Sequence, residues 1–293
     1  MRKQVPDISE HISYHELAQR ITQIPGSESI GYFYTEINPI NTVVEKFHLY
    51  KITKGKGIPV LLSGSVHGYE VAGAHSILRF FKRHAEKYLD KFEFTAFPCV
   101  NPWGFDKMVH ENWQYYPETK IGSKLNKDSD IKLGLNLNRE WKDNSKSVEV
   151  NLIKPHLKSY EIHLDLHEVW STYVAPNEQD SSAPSPDEFF LWENCPDKNL
   201  RFGKNIIDSV EKNGIKVCKW DTILEDINTG GVIYLPEGCL SSYAAGNFEA
   251  YTQGRHTPQS FTIETPLFED LEYRIKANII TIETALEEIL KRY

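Results

Sequence analysis

The chain has 293 residues, of which 40% are hydrophobic and 25% are charged, and this composition is typical of a soluble globular protein. Its 33 basic and 41 acidic residues give a formal charge of -8, which argues against nucleic acid or an anionic membrane as the main partner. No stretch approaches the roughly 18 consecutive apolar residues of a membrane span, and no apolar segment typical of a secretory signal follows the N-terminus.

Helical and extended patterns alternate along the chain. The predicted strands are Val43–Thr53, Ile58–Ser63, Phe92–Phe97, Glu161–His167, Ile215–Trp220 and Ser260–Glu264. The predicted helices are His15–Thr22, Val71–Lys87, Val148–Lys158, Lys198–Asn213 and Leu271–Leu290. This alternation indicates an α/β fold with helices on both faces of the sheet. Because no repeat or linker composition is visible, we expect one domain over residues 1–293.

Two polar stretches, 101–146 and 171–187, interrupt the alternation and predict long loops over a functional edge. The four cysteines have no close pairing and no Cys-x-x-Cys spacing, so they predict neither a disulfide framework nor a thiolate metal site. Together with the missing signal segment, this cysteine usage indicates a protein of the cytoplasm.

A histidine and a glutamate stand where the strand Ile58–Ser63 gives way to the helix that starts near Val71. His67-Gly68-Tyr69-Glu70 brings an imidazole and a carboxylate to this corner, and zinc binds both groups. The spacing alone is weak, because a chain with 11 histidines contains about one His-x-x-Glu by chance. A catalytic zinc site also needs a third protein ligand.

Polar residues at other strand ends are further candidates, since ligands of α/β sheets collect there. His167 closes one predicted strand, in which Asp165 points to the same face and could orient a neighbouring ligand. Glu264 ends another strand and, beside a metal, could serve as general base and then as general acid. The structural alternatives are a hydrogen-bonded histidine and a salt-bridged glutamate at a sheet edge.

Asn138 and Arg139 lie within the longer polar stretch, in Gly134-Leu135-Asn136-Leu137-Asn138-Arg139. The guanidinium of Arg139 is a planar fork suited to a carboxylate, and the amide of Asn138 stands beside it. A substrate anion held there would fix which bond reaches the metal, as in an exo-acting enzyme.

Taken in chain order, these motifs resemble those of the zinc carboxypeptidases, the carboxypeptidase A clan. The matching pieces are His67-x-x-Glu70, Asn101-Pro102-x-Gly104, Leu137-Asn138-Arg139, His167 and Phe261-Thr262-Ile263-Glu264, and they fall within residues 58–266. The resemblance implies a three-layer α/β/α sandwich around a central mixed, mostly parallel twisted sheet.

The resemblance also implies a role for each matching residue. The implied ligands of one zinc ion per chain are His67, Glu70 and His167. Glu264 would be the base that activates the attacking water, and Asn138 with Arg139 would hold the free C-terminal carboxylate of the substrate. Tyr234 would be the tyrosine that caps the substrate, with Tyr243 as a second candidate.

The sequence departs from the family pattern at the arginine that polarises the scissile carbonyl. The family usually has this arginine in the place that falls in Trp113–Tyr116, and none is present there. Losing a charged donor to the developing oxyanion costs on the order of 10²- to 10³-fold in rate. Lys107 or His110 would therefore have to substitute, or activity would be reduced.

Three smaller features also bear on the resemblance. Trp103 replaces the usual Asp of the Asn-Pro-Asp-Gly turn. Asn136 stands where an Asp normally supports the first zinc histidine, and Asp165 is the candidate to supply that carboxylate instead. Glu168 completes an Asp-Leu-His-Glu motif that is closer to the bacterial and cytosolic branches than to the digestive enzymes.

The resemblance implies a metallocarboxypeptidase that acts on a peptide with a free carboxylate. The same branches include murein-peptide amidases, and a related group, of the succinylglutamate desuccinylase and aspartoacylase type, cleaves small acylated amino acids. In such a deacylase, Arg139 would hold the amino-acid carboxylate. A catalytically silent relative that binds peptide without turnover is a further alternative. The missing arginine favours it, and the presence of all three ligands and Glu264 opposes it.

Overall fold

A mixed sheet of eight strands forms the centre of the computed structural model, which describes residues 11–36, 44–109, 135–169, 185–237 and 247–293. Its strands are Ser27–Glu36 (β1), Val44–Gly55 (β2), Ile58–Gly64 (β3), Phe92–Phe97 (β4), Ile162–Val169 (β5), Phe190–Asn194 (β6), Val232–Leu235 (β9) and Ser260–Pro266 (β10). Thr222–Ile223 (β7) and Asp226–Ile227 (β8) form a separate hairpin.

The strand order is β1-β2-β4-β3-β5-β10-β6-β9. The central strands β4, β3, β5 and β10 run parallel, whereas β1, β2 and β6 join antiparallel neighbours. Every residue of β5 is buried, as expected for a central parallel strand that is covered on both faces. The predicted mixed, mostly parallel sheet is confirmed.

Helices cover both faces of this sheet. The helices among the described residues are Tyr14–Thr22 (α1), Ala72–Arg83 (α2), Pro102–Lys107 (α3), Val148–Ile153 (α4), Gly203–Lys212 (α5), Phe248–Thr252 (α6) and Leu271–Leu290 (α7). On one face, α7 contacts α2 and α5, and the first turn of α2 lies against Leu166 of β5. On the other face, Phe248 of α6 packs against the ring of His163, which alternates with Leu166 along β5. The layered α/β/α prediction is therefore confirmed.

Several element predictions need correction. The strands β1 and β6 were not predicted, and α3 lies in a stretch that was predicted to be irregular. The predicted strand Ile215–Trp220 is wrong, because only Val217 forms an isolated bridge, to Phe189. The predicted helix Lys198–Asn213 begins later, at Gly203. The strand errors share a cause, since short or edge strands are decided by long-range pairing more than by local sequence pattern.

Among the described residues, no helix combines the length and the apolar character that crossing a membrane requires.

Candidate metal centre

The side chains of His67, Glu70 and His167 converge at one end of the sheet. One ligand atom from each lies within 4.8 Å of the others. The Nδ1 atom of His67 is 2.7 Å from Oε1 of Glu70, and Nδ1 of His167 is 2.8 Å from Oε2 of the same carboxylate. The structure thus brings together the three residues that the resemblance implied as ligands.

Hydrogen bonds and close backbone packing hold the turn that precedes Glu70. Ser65 has a φ of 49°, in the left-handed region, and its hydroxyl donates a hydrogen bond to the Glu70 carbonyl. The backbone N–H of Asn101 donates to the Ser65 carbonyl at 3.0 Å, so the Asn-Pro-x-Gly turn braces the same segment. A Cβ at Gly68 would lie 2.0 Å from the backbone carbon of Gly104, so only glycine fits there.

The three side chains offer donor groups that suit a metal cation. Burial opposes ionisation of Glu70, but the two adjacent histidines hold the pKa of its carboxyl well below its ordinary value. Burial lowers the pKa of His167, but the carboxylates of Asp165 and Glu70 raise it well above its ordinary value. One carboxylate with two imidazoles is the donor set that zinc takes in open catalytic sites with three protein ligands.

Asp165 stands beside the second histidine of the set. Its Oδ2 lies 3.1 Å from Nε2 of His167, and its Oδ1 accepts a hydrogen bond from the Ser63 hydroxyl. The prediction that Asp165 supports the first histidine is therefore wrong, because its contact is to His167 on its own strand. Asn136 instead accepts a hydrogen bond from the backbone N–H of Asn138, at the start of a short helical turn.

The network continues beyond Asp165 into the sheet. Ser63 Oγ is 2.7 Å from Nε2 of His163, and Nδ1 of that ring is 2.8 Å from the Thr252 hydroxyl on α6. Burial lowers the pKa of His163 to about 4, so the ring is neutral near pH 7. The sequence pattern had placed His163, Asp165 and His167 on one strand face, but nothing in it indicated Ser63 or Thr252.

Glu264 lies directly beside the ligand set. In the parallel pairing of β10 with β5 it stands opposite His167. Burial raises the pKa of the Glu264 carboxyl well above its ordinary value; the charge of His167 lowers it, and the Glu70 carboxylate raises it further. Its Oε2 is buried and finds no hydrogen-bond partner among the described residues. A buried carboxyl group with an unpartnered oxygen beside possible metal ligands is a candidate for proton transfer.

Asn138 and Arg139 are held together by α6. The Asn138 Oδ1 accepts a hydrogen bond from the backbone N–H of Phe248 at 3.1 Å. The Arg139 guanidinium donates to the Asn247 side chain and to the Asn138 carbonyl. The indole of Trp141 stacks on Phe248 with ring centroids 3.5 Å apart. No local sequence pattern indicates Asn247, which lies 108 residues from Arg139.

The structure places Tyr234 away from this group of residues. Tyr234 is on β9 opposite Glu193, which in turn pairs with Phe261 on β10. Tyr234 is therefore displaced from Glu264 by three residues along the strand direction, about 10 Å, and it lies two strands away from β10 in the sheet. The Arg201 guanidinium lies over its ring, 5.1 Å from the centroid. The role of Tyr234 as a substrate cap is thus not supported by its position.

Two groups remain among the candidates for polarising the carbonyl and for capping the substrate. Lys107 contacts the carboxylates of Glu45 and Asp106, at 3.0 and 2.9 Å, so its ammonium group is committed to ion pairs. Tyr243, His110 and the segment Trp113–Tyr116 lie outside the described residues.

Comparison with solved structures identifies the fold. A proposed metallopeptidase from Shewanella amazonensis SB2B is 20% identical with a TM-score of 0.64, and the match covers 92% of this chain and 90% of that one. Bovine thrombin-activatable fibrinolysis inhibitor, solved with tick carboxypeptidase inhibitor, is 12% identical with a TM-score of 0.62, covering 97% and 99%. Carboxypeptidase A from Helicoverpa armigera is 13% identical with a TM-score of 0.61, covering 97% and 74%. At these identities the matches show the fold.

Comparison of the sequence with protein families gives one match. The model of the succinylglutamate desuccinylase/aspartoacylase catalytic domain matches residues 56–177, which include all three converging side chains. None of the curated proteins matches the sequence significantly. The chain therefore has a zinc carboxypeptidase-like fold, and its residues 56–177 match the desuccinylase/aspartoacylase catalytic domain. These findings confirm the resemblance drawn from its motifs and indicate a hydrolase of the metallopeptidase or deacylase type.

Proposed function

We propose that the protein is a zinc-dependent metallocarboxypeptidase, which hydrolyses an amide bond beside a free C-terminal carboxylate. The observation that carries this proposal is the register of β10 against β5. That register sets the Glu264 carboxyl next to His167, one of the three converging side chains, which supports a proton acceptor beside a bound metal. The residues would hold one zinc ion per chain.

Zinc is the metal that fits the ligand set best, because two imidazole nitrogens and one carboxylate are typical of catalytic zinc sites with an open position. Bound there, zinc would supply Lewis-acid polarisation of the carbonyl and a lower pKa for the attacking water.

The chain's own part in catalysis is proton transfer by Glu264. Its carboxylate accepts the proton of the attacking water as the new carbon–oxygen bond forms, and then gives this proton to the leaving nitrogen. The raised pKa of this carboxyl favours the first transfer, because it makes the carboxylate a stronger base.

Asn138 and Arg139 would hold the substrate carboxylate. Their attachment to α6 fixes both groups relative to β5, because Thr252 of the same helix contacts His163. A fixed anion site sets the distance between the carboxylate and the scissile bond, which favours cleavage of the terminal residue.

A deacylase is the second candidate, and the match of residues 56–177 to the succinylglutamate desuccinylase/aspartoacylase catalytic domain favours it. Such an enzyme would cleave the amide of an N-acyl amino acid, with Arg139 again holding a carboxylate. The two activities share the metal, the base and the anion site, and they differ in whether a peptide occupies the far side of the scissile bond.

The experiment is a hydrolysis screen of zinc-loaded protein, read by mass spectrometry. The panel contains peptides with free and amidated C-termini, muropeptides and N-acyl amino acids. Release of a C-terminal residue from the free but not the amidated peptides supports the carboxypeptidase, and cleavage restricted to N-acyl amino acids supports the deacylase. Inertness toward the whole panel with zinc bound would indicate a silent relative.

Two variants test the residue roles in that screen. His67→Ala should lose the zinc, which metal analysis of the purified protein measures directly. Glu264→Gln should retain the zinc and lose turnover. A Glu264→Gln protein with full activity would exclude this residue as the base, and a wild type that retains no zinc would refute the metal-dependent function.

A further inference from the structure

A buried carboxylate next to the ligands has no part in the chemistry proposed above. Glu168 directly follows the ligand His167 on β5, and it points to the opposite face of the sheet, toward α2 and α7. Its side chain is only 2% exposed. Charged side chains are rarely buried this deeply unless specific partners compensate for lost hydration.

One oxygen of Glu168 binds the start of α2. Its Oε2 accepts a hydrogen bond from the backbone N–H of Ala72 at 2.8 Å. Ala72 begins α2 and is the second residue after the ligand Glu70, and the residue before it, Val71, makes no side-chain cap of its own. Glu168 therefore satisfies an N–H group that the helix leaves open, and its negative charge suits this end of the helix dipole.

The second oxygen of Glu168 binds α7. Its Oε1 accepts a hydrogen bond from the Arg274 guanidinium, and both side chains of this ion pair are buried. Because the carboxylate is held from α7, it is not free to follow small movements of α2. One side chain on β5 thus joins both helices of this face.

The backbone of α2 is itself in direct contact with the sheet. A Cβ on Gly73 would lie 2.6 Å from the Leu166 carbonyl oxygen and 3.1 Å from the Cα of Gly64. The first turn of α2 therefore rests on β5 and β3 without intervening side chains. At such short separations, a small shift of the helix start moves the residues just before it by a similar amount.

We propose that Glu168 is a positioning residue of the metal centre. By binding the Ala72 N–H, it fixes the segment that carries Glu70 relative to His167, its own neighbour on β5. Arg274 keeps the Glu168 carboxylate in place. The inference rests on the proposed function, because it takes the converging side chains to be metal ligands.

The test is Glu168→Gln, which keeps the size of the side chain but loses the ion pair with Arg274. Changing a residue that orients metal ligands typically lowers metal affinity about 10- to 100-fold. We expect Glu168→Gln to lose zinc affinity in this range, as measured by competition with a chelator. The visible absorption spectrum of the cobalt-substituted protein should also change, because it reports ligand geometry and not overall stability.

Glu193→Gln is the matched control. Glu193 is a buried carboxylate on β6 that accepts backbone hydrogen bonds from Phe202 and Gly203, at 2.9 and 3.0 Å, at the start of α5. It makes the same kind of link between strand and helix, yet neither it nor the helix start that it binds adjoins a proposed ligand in the sequence. We expect Glu193→Gln to lower thermal stability while leaving zinc affinity and the cobalt spectrum at wild-type values.

Two results would overturn the inference: wild-type zinc affinity and cobalt spectrum in Glu168→Gln, or an equal loss in Glu193→Gln. If Glu168→Gln does not fold by circular dichroism, Arg274→Lys disturbs the same carboxylate more mildly. It should weaken zinc binding and shift the cobalt spectrum, and an unchanged protein would overturn the inference. A wild type that binds neither metal would instead refute the proposed function itself.

Discussion

Asp165 and His167 stand on the same face of β5, and Oδ2 of the aspartate lies 3.1 Å from Nε2 of the histidine. The other ring nitrogen, Nδ1, faces the Glu70 carboxylate. The two nitrogens of His167 therefore have different surroundings: one faces the Asp165 carboxylate, and the other faces Glu70, where the proposed metal would bind. Ligating histidines are commonly arranged in this way.

Replacing Asp165 by Asn should weaken the metal centre without unfolding it. The amide cannot hold the imidazole in its ligating tautomer as a carboxylate does, so we expect zinc affinity to fall by about 10- to 100-fold. Isothermal titration of metal-free protein with zinc measures the effect. Thr252→Val is the control, because Thr252 contacts the same network only through His163. Equal affinity in wild type and Asp165→Asn would contradict the assigned role.

Gly68→Ala should disturb the turn that carries His67 and Glu70. The added Cβ would lie 2.0 Å from the backbone of Gly104, and a backbone contact relaxes only if the whole turn moves. Overpacking of this kind costs about 1 to 3 kcal/mol, so both the free energy of unfolding and zinc affinity should fall.

Gly214→Ala is the control for Gly68→Ala. Its φ of +84° strains any other residue, but no atom lies within 4 Å of the added Cβ. It should lower the free energy of unfolding, measured by urea denaturation, and leave zinc affinity intact. If Gly68→Ala kept wild-type zinc affinity, the proposed bracing of the ligand turn by the Asn-Pro-x-Gly segment would be wrong.

The convergence of His67, Glu70 and His167 could be predicted from sequence because each stands near a strand boundary that local pattern reveals. His167 and Glu264 lie two residues before the ends of β5 and β10, and the corner of His67 and Glu70 follows β3. Their partners could not be predicted in this way. Asn247 contacts Arg139 across 108 residues, and such a contact is decided by how loops pack on the finished sheet.

The position of Tyr234 could not be predicted either, because it too depends on long-range packing. Its strand, β9, pairs with β6, which sequence pattern did not reveal. The position of Tyr234 along the sheet depends on that pairing and on the antiparallel register of β6 against β10. A tyrosine in an apolar segment predicts burial and strand propensity but not register, because register is set by the partner strand.

Asn247→Ala should reveal the function of Arg139. Its guanidinium donates to the Asn247 side chain, so the variant leaves the charge in place but removes one group that orients it. We expect KM for substrates with a free carboxylate to rise about tenfold, which corresponds to roughly 1.4 kcal/mol, with kcat little changed. Arg139→Lys should raise KM further, because an ammonium group lacks the planar fork. A fall in kcat at unchanged KM would contradict an anchoring role.

His75→Leu should make stability less sensitive to acid. The pKa of His75 is lowered from 6.5 to about 4, mainly by burial and further by the nearby charges of Arg20 and Arg274. Its Nε2 is buried and finds no hydrogen-bond partner among the described residues. Because the folded pKa is the lower one, the unfolded chain binds the proton more readily. The contribution of His75 is therefore fully present above pH 6.5 and is lost as the pH falls toward 4.

The size of this effect follows from the shift. A change from 6.5 to about 4 corresponds to about 3 kcal/mol lost across that window. Urea unfolding at pH 7.5 and pH 5 should show a smaller difference between the two conditions for His75→Leu than for wild type. All other titratable groups are the same in both proteins, so the comparison between them isolates His75. His15→Leu, at an exposed histidine on α1, should keep the wild-type dependence. If His75→Leu lost as much stability as wild type between the two pH values, His75 would not be the group responsible.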